Sequence, residues 1–161
     1  MNPLELFGRH RNLALTSAAI PQIIEGIQSL DVVRIEGTET LDFGDDSIFE
    51  YKVLLKTPAE LAHIPAQLLL ESFDLAAFLG KQATLHIALD ELRLAGTSNT
   101  REITGIITRA QFKRVAERAL HFEITLKDWL SIGTLNKDFA IHQNKTPIDA
   151  IKDTLNATFP Y

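Results

Sequence analysis

Alternating apolar and polar residues are the dominant pattern along this chain. The clearest case is Leu120–Leu126, where leucine, phenylalanine and isoleucine alternate with polar residues, and side chains of these types suit a pleated surface. The same alternation runs through Phe49–Leu55, with Leu54 as its exception, and through Ala83–Leu89. Each of the three segments therefore predicts a strand with one buried face.

Weaker alternation predicts three further strands, over Asn12–Thr16, Leu30–Glu36 and Glu102–Thr108. The last contains Gly105, where we expect a bulge or a close backbone approach. The segment Arg109–Leu120 has apolar residues at helical spacing, yet it joins two predicted strands. We therefore expect it to form a hairpin connection or a single turn.

Helical signals are fewer and shorter. Apolar residues follow Asp74 at helical spacing and end at Gly80, which predicts about two turns of helix. A second helix should begin at Thr146, because proline and aspartate follow at the first and third helical positions. Its apolar face would comprise Ile148, Ile151, Leu155 and Phe159. The whole pattern predicts a mainly β protein with two or three short helices.

Composition places the chain among ordinary globular proteins. It has 161 residues and a mass of 18.0 kDa, with 45% hydrophobic and 23% charged residues, which favours a single domain. Sixteen Lys and Arg residues against 21 Asp and Glu residues give a formal net charge of −5. This balance argues against binding of the whole chain to nucleic acid or anionic lipid.

Cysteine is absent, which excludes disulfide frameworks, thiolate catalysis and cysteine-ligated metals. No segment approaches the roughly 18 apolar residues that span a bilayer, and the sequence starts without the basic and apolar regions of a signal peptide. We expect synthesis and folding in a cytosol and no stable membrane insertion.

Candidate catalytic chemistry is sparse. The five histidines have no nucleophile motif beside them and none of the spacings typical of metal ligands. Two of them, His86 and His121, fall on polar strand faces, where solvent exposure is expected. The carboxylate pairs Asp45-Asp46 and Asp90-Glu91 lie in turn-like sequence, and no glycine-rich phosphate loop is present. We predict no catalytic residue, no metal site, no cofactor and no enzymatic activity.

Charge is distributed unevenly along the chain. A basic run comprises Arg109, Lys113, Arg114 and Arg118, whereas an acidic stretch from Asp31 to Glu50 includes Asp45 and Asp46. Together with a nearby aromatic residue, the basic run has the composition of a nucleic-acid-binding face on a small barrel. It equally fits a solvated connection or a subunit contact, and opposite charges of this kind set the register between subunits.

From Val32 onward, the order of these segments resembles the N-terminal part of VgrG-type spike proteins of type VI secretion systems, together with Rhs-element and contractile-phage tail-hub proteins. The resemblance rests on order and spacing rather than on a catalytic signature. Four blocks carry it: Arg34–Leu41 with Phe49–Leu55; Leu79–Leu85, similar to a Gly-Lys-x-Ala-Thr-Leu strand entry; Ile103–Thr108; and Leu126–Leu130 with Asp138–Ile148. Asp128 stands where the family usually has proline.

The resemblance implies a β-barrel of the phage tail-tube or tail-hub type. Residues 1–145 would form the first such barrel, and residues 146–161 would begin a helix leading to a C-terminal part. That part, in the family, comprises a second barrel, an oligosaccharide-binding-like domain and a β-helical needle. The chain would then correspond to an N-terminal portion of a spike protein.

The resemblance also implies a structural function. Three hub subunits form a ring that caps the hexameric Hcp tube, and downstream regions help to puncture envelopes and to deliver effector or tip proteins. The protein would reside in the bacterial cytoplasm before firing and leave through the secretion machine without a signal peptide. Subunit or tube contacts would then involve Asp45, Asp46 and the basic run. The alternative is a small β-barrel that binds nucleic acid or another ligand.

Overall fold

The structure is a computed structural model that describes residues 13–40, 48–88, 100–133 and 143–158. Six strands form nearly half of this part of the chain: β1 (Leu13–Ser17), β2 (Asp31–Glu39), β3 (Phe49–Lys56), β4 (Gln82–Ala88), β5 (Thr100–Ala116) and β6 (Ala119–Lys127). The helices are short: α1 (Ala66–Glu71), α2 (Leu130–Gly133) and α3 (Pro147–Thr158), with single 3₁₀ turns at Ala59–Leu61 and Ala76–Phe78. The predicted mainly β fold is confirmed.

All six strands belong to one antiparallel sheet with the order β1-β4-β5-β6-β3-β2. The β5–β6 hairpin is at its centre. The outermost strands, β1 and β2, approach each other without forming a ladder in the described part of the chain. The sheet is therefore curled, and it has a concave and a convex face.

The concave face carries the hydrophobic core. Alternate residues of the central strands are fully buried, among them Val53, Phe122 and Leu126. The segment between β3 and β4 covers them with Leu61, Phe78 and other apolar side chains. Because the period of a strand is two, the opposite residues of the same strands line the convex face.

A buried tyrosine strengthens the curl of the sheet. The Tyr51 hydroxyl donates to the Glu39 carboxylate, which also accepts a hydrogen bond from Arg101, so that β3, β2 and β5 meet at one point. The ring of Tyr51 lies on Gly37, where a Cβ atom would come within 2.2 Å of the ring. Burial and the Glu39 carboxylate raise the pKa of Tyr51 to about 12, because both disfavour the phenolate.

The segment Arg109–Leu120 departs from the predicted connection. β5 continues through it to Ala116, and only Glu117 and Arg118 form the turn. Irregularities between Ile107 and Arg109 and between Phe112 and Arg114 interrupt the register with β6. These bulges disrupt the alternation and produce a spacing that resembles a helix in the sequence.

Gly105 confirms the close approach that its position in a strand predicts. A Cβ atom there would lie 2.6 Å from the carbonyl oxygen of Lys127 and 3.1 Å from the Phe49 ring. The bulges of β5 occur farther along the strand. Glycine is therefore needed because the backbone of β6 and an aromatic ring occupy the space.

The helix predicted after Asp74 is shorter than expected, since only Ala76–Phe78 forms a 3₁₀ turn. The Asp74 carboxylate accepts a hydrogen bond from the Ala76 amide. The sequence does not predict α1, because its three consecutive leucines show no helical alternation and only Leu69 is buried. The strand near Leu13 is confirmed as β1.

Contacts divide the chain into two units, Met1–Asp128 and Trp129–Tyr161. The second unit contains α2 and α3. As predicted, α3 begins after Thr146, whose hydroxyl accepts a hydrogen bond from the Asp149 amide at 3.2 Å. Two residues of its apolar face, Ile148 and Ile151, are exposed. Among the described residues, no helix is both long enough and apolar enough to cross a membrane.

Candidate assembly surface

The four residues of the basic run lie along the second half of β5 and at the hairpin turn. Arg109 and Arg114 are paired in register with Thr125 and His121, so both point to the convex face. Lys113 lies at the second bulge. Arg118 is in the turn, where its φ of 59° is in the left-handed region. The structure thus places the four predicted basic residues on the exposed second half of β5 and on the turn that follows it.

In the part of the chain that the structure describes, only one residue of the basic run forms an ion pair. Lys113 is 3.4 Å from the Glu123 carboxylate, and Arg109 donates to the side chain of Gln111 at 3.0 Å. Arg114 and Arg118 form no ion pair within the described residues. Two exposed guanidinium groups therefore remain available for an anionic partner.

Part of the run borders a shallow groove of about 320 Å³ on the convex face. The groove crosses β2, β3, β6 and β5, and four cations and two carboxylates line it together with a leucine and a histidine: Arg34, Glu36, Lys52, Leu54, Lys113, Arg114, His121 and Glu123. Mixed charges of this kind fit a polar protein surface better than a small apolar ligand.

Three described carboxylates of the acidic stretch are paired within their own chain. Arg34 contacts Glu36, Arg101 contacts Glu39, and Lys127 is 3.1 Å from Glu50. None of these cations belongs to the basic run. Asp45 and Asp46 lie outside the described residues. In the described part of the chain, the acidic and basic stretches are therefore not joined by ion pairs.

Phe112, the aromatic residue close to the basic run, faces the core side of the hairpin. Phe112 is paired with Phe122, and their rings meet edge to face at 5.7 Å between centroids. Its side chain is nonetheless 37% exposed. Because this ring already packs on the core, it is poorly placed to stack on a nucleic-acid base.

The two histidines on strands are less exposed than expected. His86 Nε2 is 3.0 Å from the Thr16 hydroxyl, and His86 Nδ1 is 3.2 Å from the Glu102 carboxylate, so the ring connects β1, β4 and β5. His121 is half-buried because it lies in register between Lys56 and Arg114. Across the described ranges, no three potential ligand side chains gather into a metal centre.

A family described as phage tail baseplate hub (GPD) matches residues 60–160. This span includes β4, β5 and β6, and thus the whole hairpin that carries the basic run. The chain belongs to the phage tail baseplate hub family. Membership gives it a structural role in a tail hub and confirms the resemblance seen in the sequence. No curated protein is significantly similar to this hub-family chain.

The fold agrees with this assignment. The chain is similar to a solved structure described as "The E. coli c3393 protein is a component of the type VI secretion system and exhibits structural similarity to T4 bacteriophage tail proteins gp27 and gp5". The TM-score is 0.58 at 19% sequence identity. The match covers 92% of this chain and 33% of that chain, so the hub-family chain spans about a third of the relative's length.

The sequence reveals the charges of this surface but does not predict that β5 continues through it as an exposed strand. The composition of the basic run was visible, whereas the exposed strand edge on which it lies was not. In the sequence, Phe112 and Val115 with cations between them are the signal for an exposed strand. The two bulges make this signal ambiguous, because they give the apolar residues a helical spacing. The Tyr51–Glu39–Arg101 contact was also missed, since nothing in the sequence links residues so far apart.

Proposed function

We propose that this chain is the first tail-hub barrel of a VgrG-type spike in a type VI secretion system. The observation that carries the proposal is the hub-family match over residues 60–160 in a chain folded as one curled antiparallel sheet. A sheet of this kind offers extended faces and edges for assembly.

In this proposal, residues 1–145 form the barrel and residues 146–161 begin a helix that leads toward the second barrel. The solved type VI secretion component of which this chain covers 33% supports such a larger context. Three copies of the full-length hub form a ring that caps the Hcp tube. Further regions help to pierce the target envelope and engage an effector or tip protein. The hub stays in the bacterial cytoplasm until the machine expels it.

The basic run supplies contacts in this assembly. Arg114 and Arg118 are the best candidates because they form no ion pair in the described part of the chain. Asp45 and Asp46 are the proposed acidic counterparts on a neighbouring subunit or on the tube. Opposite charges on different surfaces of one chain suit a heterologous contact, which closes into a ring.

Co-sedimentation with preformed Hcp tubes tests the proposal. The full-length hub should pellet with the tubes and should have the mass of a trimer in light scattering. A full-length hub that is monomeric and stays in the supernatant would contradict the proposed function.

Charge reversal then tests the contact residues at low salt, where screening is weakest. Arg114→Glu with Arg118→Glu should weaken assembly, and Asp45→Lys with Asp46→Lys should partly restore it. Lys152→Glu, which changes an exposed cation on α3 outside the basic run, is the matched control. If the basic-run variant assembles like the control, these cations are solvated surface.

Nucleic-acid binding is the second candidate, favoured only by the uncompensated guanidinium groups. A single-stranded oligonucleotide should show no salt-dependent binding, because Phe112 packs against Phe122 and the net charge is −5. Micromolar binding that is lost in the Arg114→Glu variant would favour this second function instead.

A further inference from the structure

The groove on the convex face, here called the convex groove, carries more positive than negative charge. Four cations and two carboxylates line it, so it has a surplus of two positive charges when its histidine is neutral. The chain as a whole has a formal net charge of −5. The convex groove is therefore a local cationic site on a protein whose overall charge repels anions.

The two carboxylates of the convex groove are balanced by cations beside them. Arg34 contacts Glu36, which lies two positions along the same strand. Lys113 is 3.4 Å from the Glu123 carboxylate across the β5–β6 hairpin. These four residues neutralise one another, so the surplus charge of the groove comes from its other cations.

Lys52 and Arg114 supply this surplus. Among the described residues, Lys52 has one carboxylate within ion-pair distance, that of Glu50 at 3.9 Å, and the same carboxylate is closer to Lys127, at 3.1 Å. Arg114 forms no ion pair in the described ranges. Both side chains are exposed, so an anionic group can approach them from solvent.

The two surplus cations belong to separate rows of the sheet. Arg114 is paired in register with His121, and His121 is paired with Lys56. Lys56 follows Lys52 on β3 by four residues, so the two rows are about 13 Å apart along the strands. An extended chain covers this distance with about four residues. A chain that carries several carboxylates can therefore contact both cations without drawing them together.

His121 adds a polar group that lacks a partner. Its ring lines the convex groove, and its Nδ1 atom is buried without a hydrogen-bond partner among the described residues. A buried polar atom of this kind costs free energy until it is satisfied. A half-turn of the imidazole exchanges Nδ1 with a ring carbon, and an acceptor bound in the groove would then satisfy the nitrogen.

We propose that the convex groove binds an extended acidic segment of a partner protein, whose carboxylates contact Lys52 and Arg114. A guanidinium group binds a carboxylate through two parallel hydrogen bonds, and an ammonium group adds a point charge. Glu36 and Glu123 repel a doubly charged phosphate more strongly than a singly charged carboxylate. The inference goes beyond the proposed hub ring, because the groove lies within one copy of the chain.

Fluorescence anisotropy with a labelled acidic peptide tests this inference on the full-length protein. The probe is a chain of about ten alternating glutamate and aspartate residues with blocked ends, which is long enough to span both cations. The control peptide has glutamine and asparagine in their place. The acidic peptide should bind at one saturable site, more weakly as salt is added, and the control peptide should not bind. Absence of saturable binding at low salt would overturn the inference.

Charge reversal then identifies the cations that hold the peptide. Lys52→Glu should weaken binding by about tenfold, because a repulsion replaces an attraction, and Arg114→Glu should weaken it by at least as much. Lys152→Glu is the matched control, since it reverses an exposed cation on α3, and it should leave the affinity unchanged. Equal affinities of the Lys52 and Lys152 variants would overturn the inference.

Two further measurements distinguish this site from a phosphate site and from a subunit contact. Inorganic phosphate should displace the peptide no better than chloride at the same ionic strength, and stronger displacement would overturn the inference. Lys52 lies outside the basic run, so Lys52→Glu should leave the assembly mass in light scattering unchanged. A monomeric wild-type protein that binds the peptide would contradict the proposed function alone. A trimer that does not bind the peptide would overturn this inference alone.

Discussion

The two halves of β5 differ although they belong to one continuous strand. From Thr100 to Ile107 it lies between two neighbours, and Ile103 and Ile107 are buried. From Thr108 to Ala116 it keeps one neighbour, and most of its residues are exposed. The first half builds the fold, whereas the second half presents a surface.

The change occurs at a bulge. Ile107 hydrogen-bonds to the chain preceding β4, and the register with β6 shifts immediately after it. A bulge inserts one extra residue, so the set of positions that faces the core changes beyond it. The second half can therefore carry cations and exposed apolar residues without loss of the core. One strand thus has a core segment and an exposed, cationic segment.

Truncation of one buried and one exposed residue tests this division most strongly. Ile107→Ala should lower the free energy of unfolding by about 2–5 kcal/mol, because it leaves a cavity in the core. Val115→Ala should change it by no more than about 0.5 kcal/mol. Chemical denaturation of both variants measures the difference. Similar losses would show that the two halves contribute equally to the fold.

Alkaline titration sharpens the comparison at the start of β5, where Arg101 joins the Tyr51–Glu39 contact. The folded-state pKa of Tyr51 is about 12 against 10.0 for an ordinary tyrosine. Below pH 10 the phenol is neutral in both the folded and the unfolded state, and its contribution to stability is complete. Between pH 10 and 12 the unfolded chain ionises first, so the free energy of unfolding falls by on the order of 2 kcal/mol.

Tyr51→Phe should abolish this part of the pH dependence, as measured by denaturation at several alkaline pH values. Tyr161→Phe is the matched control, since the chain has two tyrosines, and it should retain the dependence. A wild-type protein whose stability does not fall more steeply than that of Tyr51→Phe between pH 10 and 12 would contradict the assignment.

The turn at the far end of β5 gives the smallest expected effect. Glu117 and Arg118 have φ values of 52° and 59°, a conformation that Asn-Gly adopts more easily in two-residue hairpins. Replacing the pair by Asn-Gly should raise the free energy of unfolding by about 0.5–1 kcal/mol, which is measured as a slightly higher melting temperature. Glu117→Ala with Arg118→Ala is the control. A loss of stability with Asn-Gly would mean that the turn side chains contribute contacts of their own.

The sequence predicted the elements in which one pattern was uninterrupted. β6 was clear because Leu120 to Leu126 alternate without a break, and α3 was clear because Thr146 and Pro147 mark its start. The end of β5 was not predictable, since the bulges near Thr108 and Lys113 convert a period of two into an apparent helical spacing. The short α1 also escaped, because its stability depends on burial of Leu69 rather than on its own pattern.

The candidate site was only half predictable for a related reason. Cations are visible in a sequence, so the basic run was recognised, but the extent to which β4 covers β5 depends on where β4 begins. Because β4 begins at Gln82, opposite Ile106, residues 108–116 of β5 have β6 as their only ladder partner in the described part of the chain. The hub assignment itself came from the order of segments across the chain, which charge and alternation alone do not supply.

The two-residue turn between β5 and β6 also has a consequence for how this protein folds. The paired residues of this hairpin are close along the chain, whereas β1 and β4 are separated by some 70 positions. Contacts between near neighbours cost less chain entropy and form sooner. We therefore expect the β5–β6 hairpin to be structured in the folding transition state, and the remaining strands to join it afterwards.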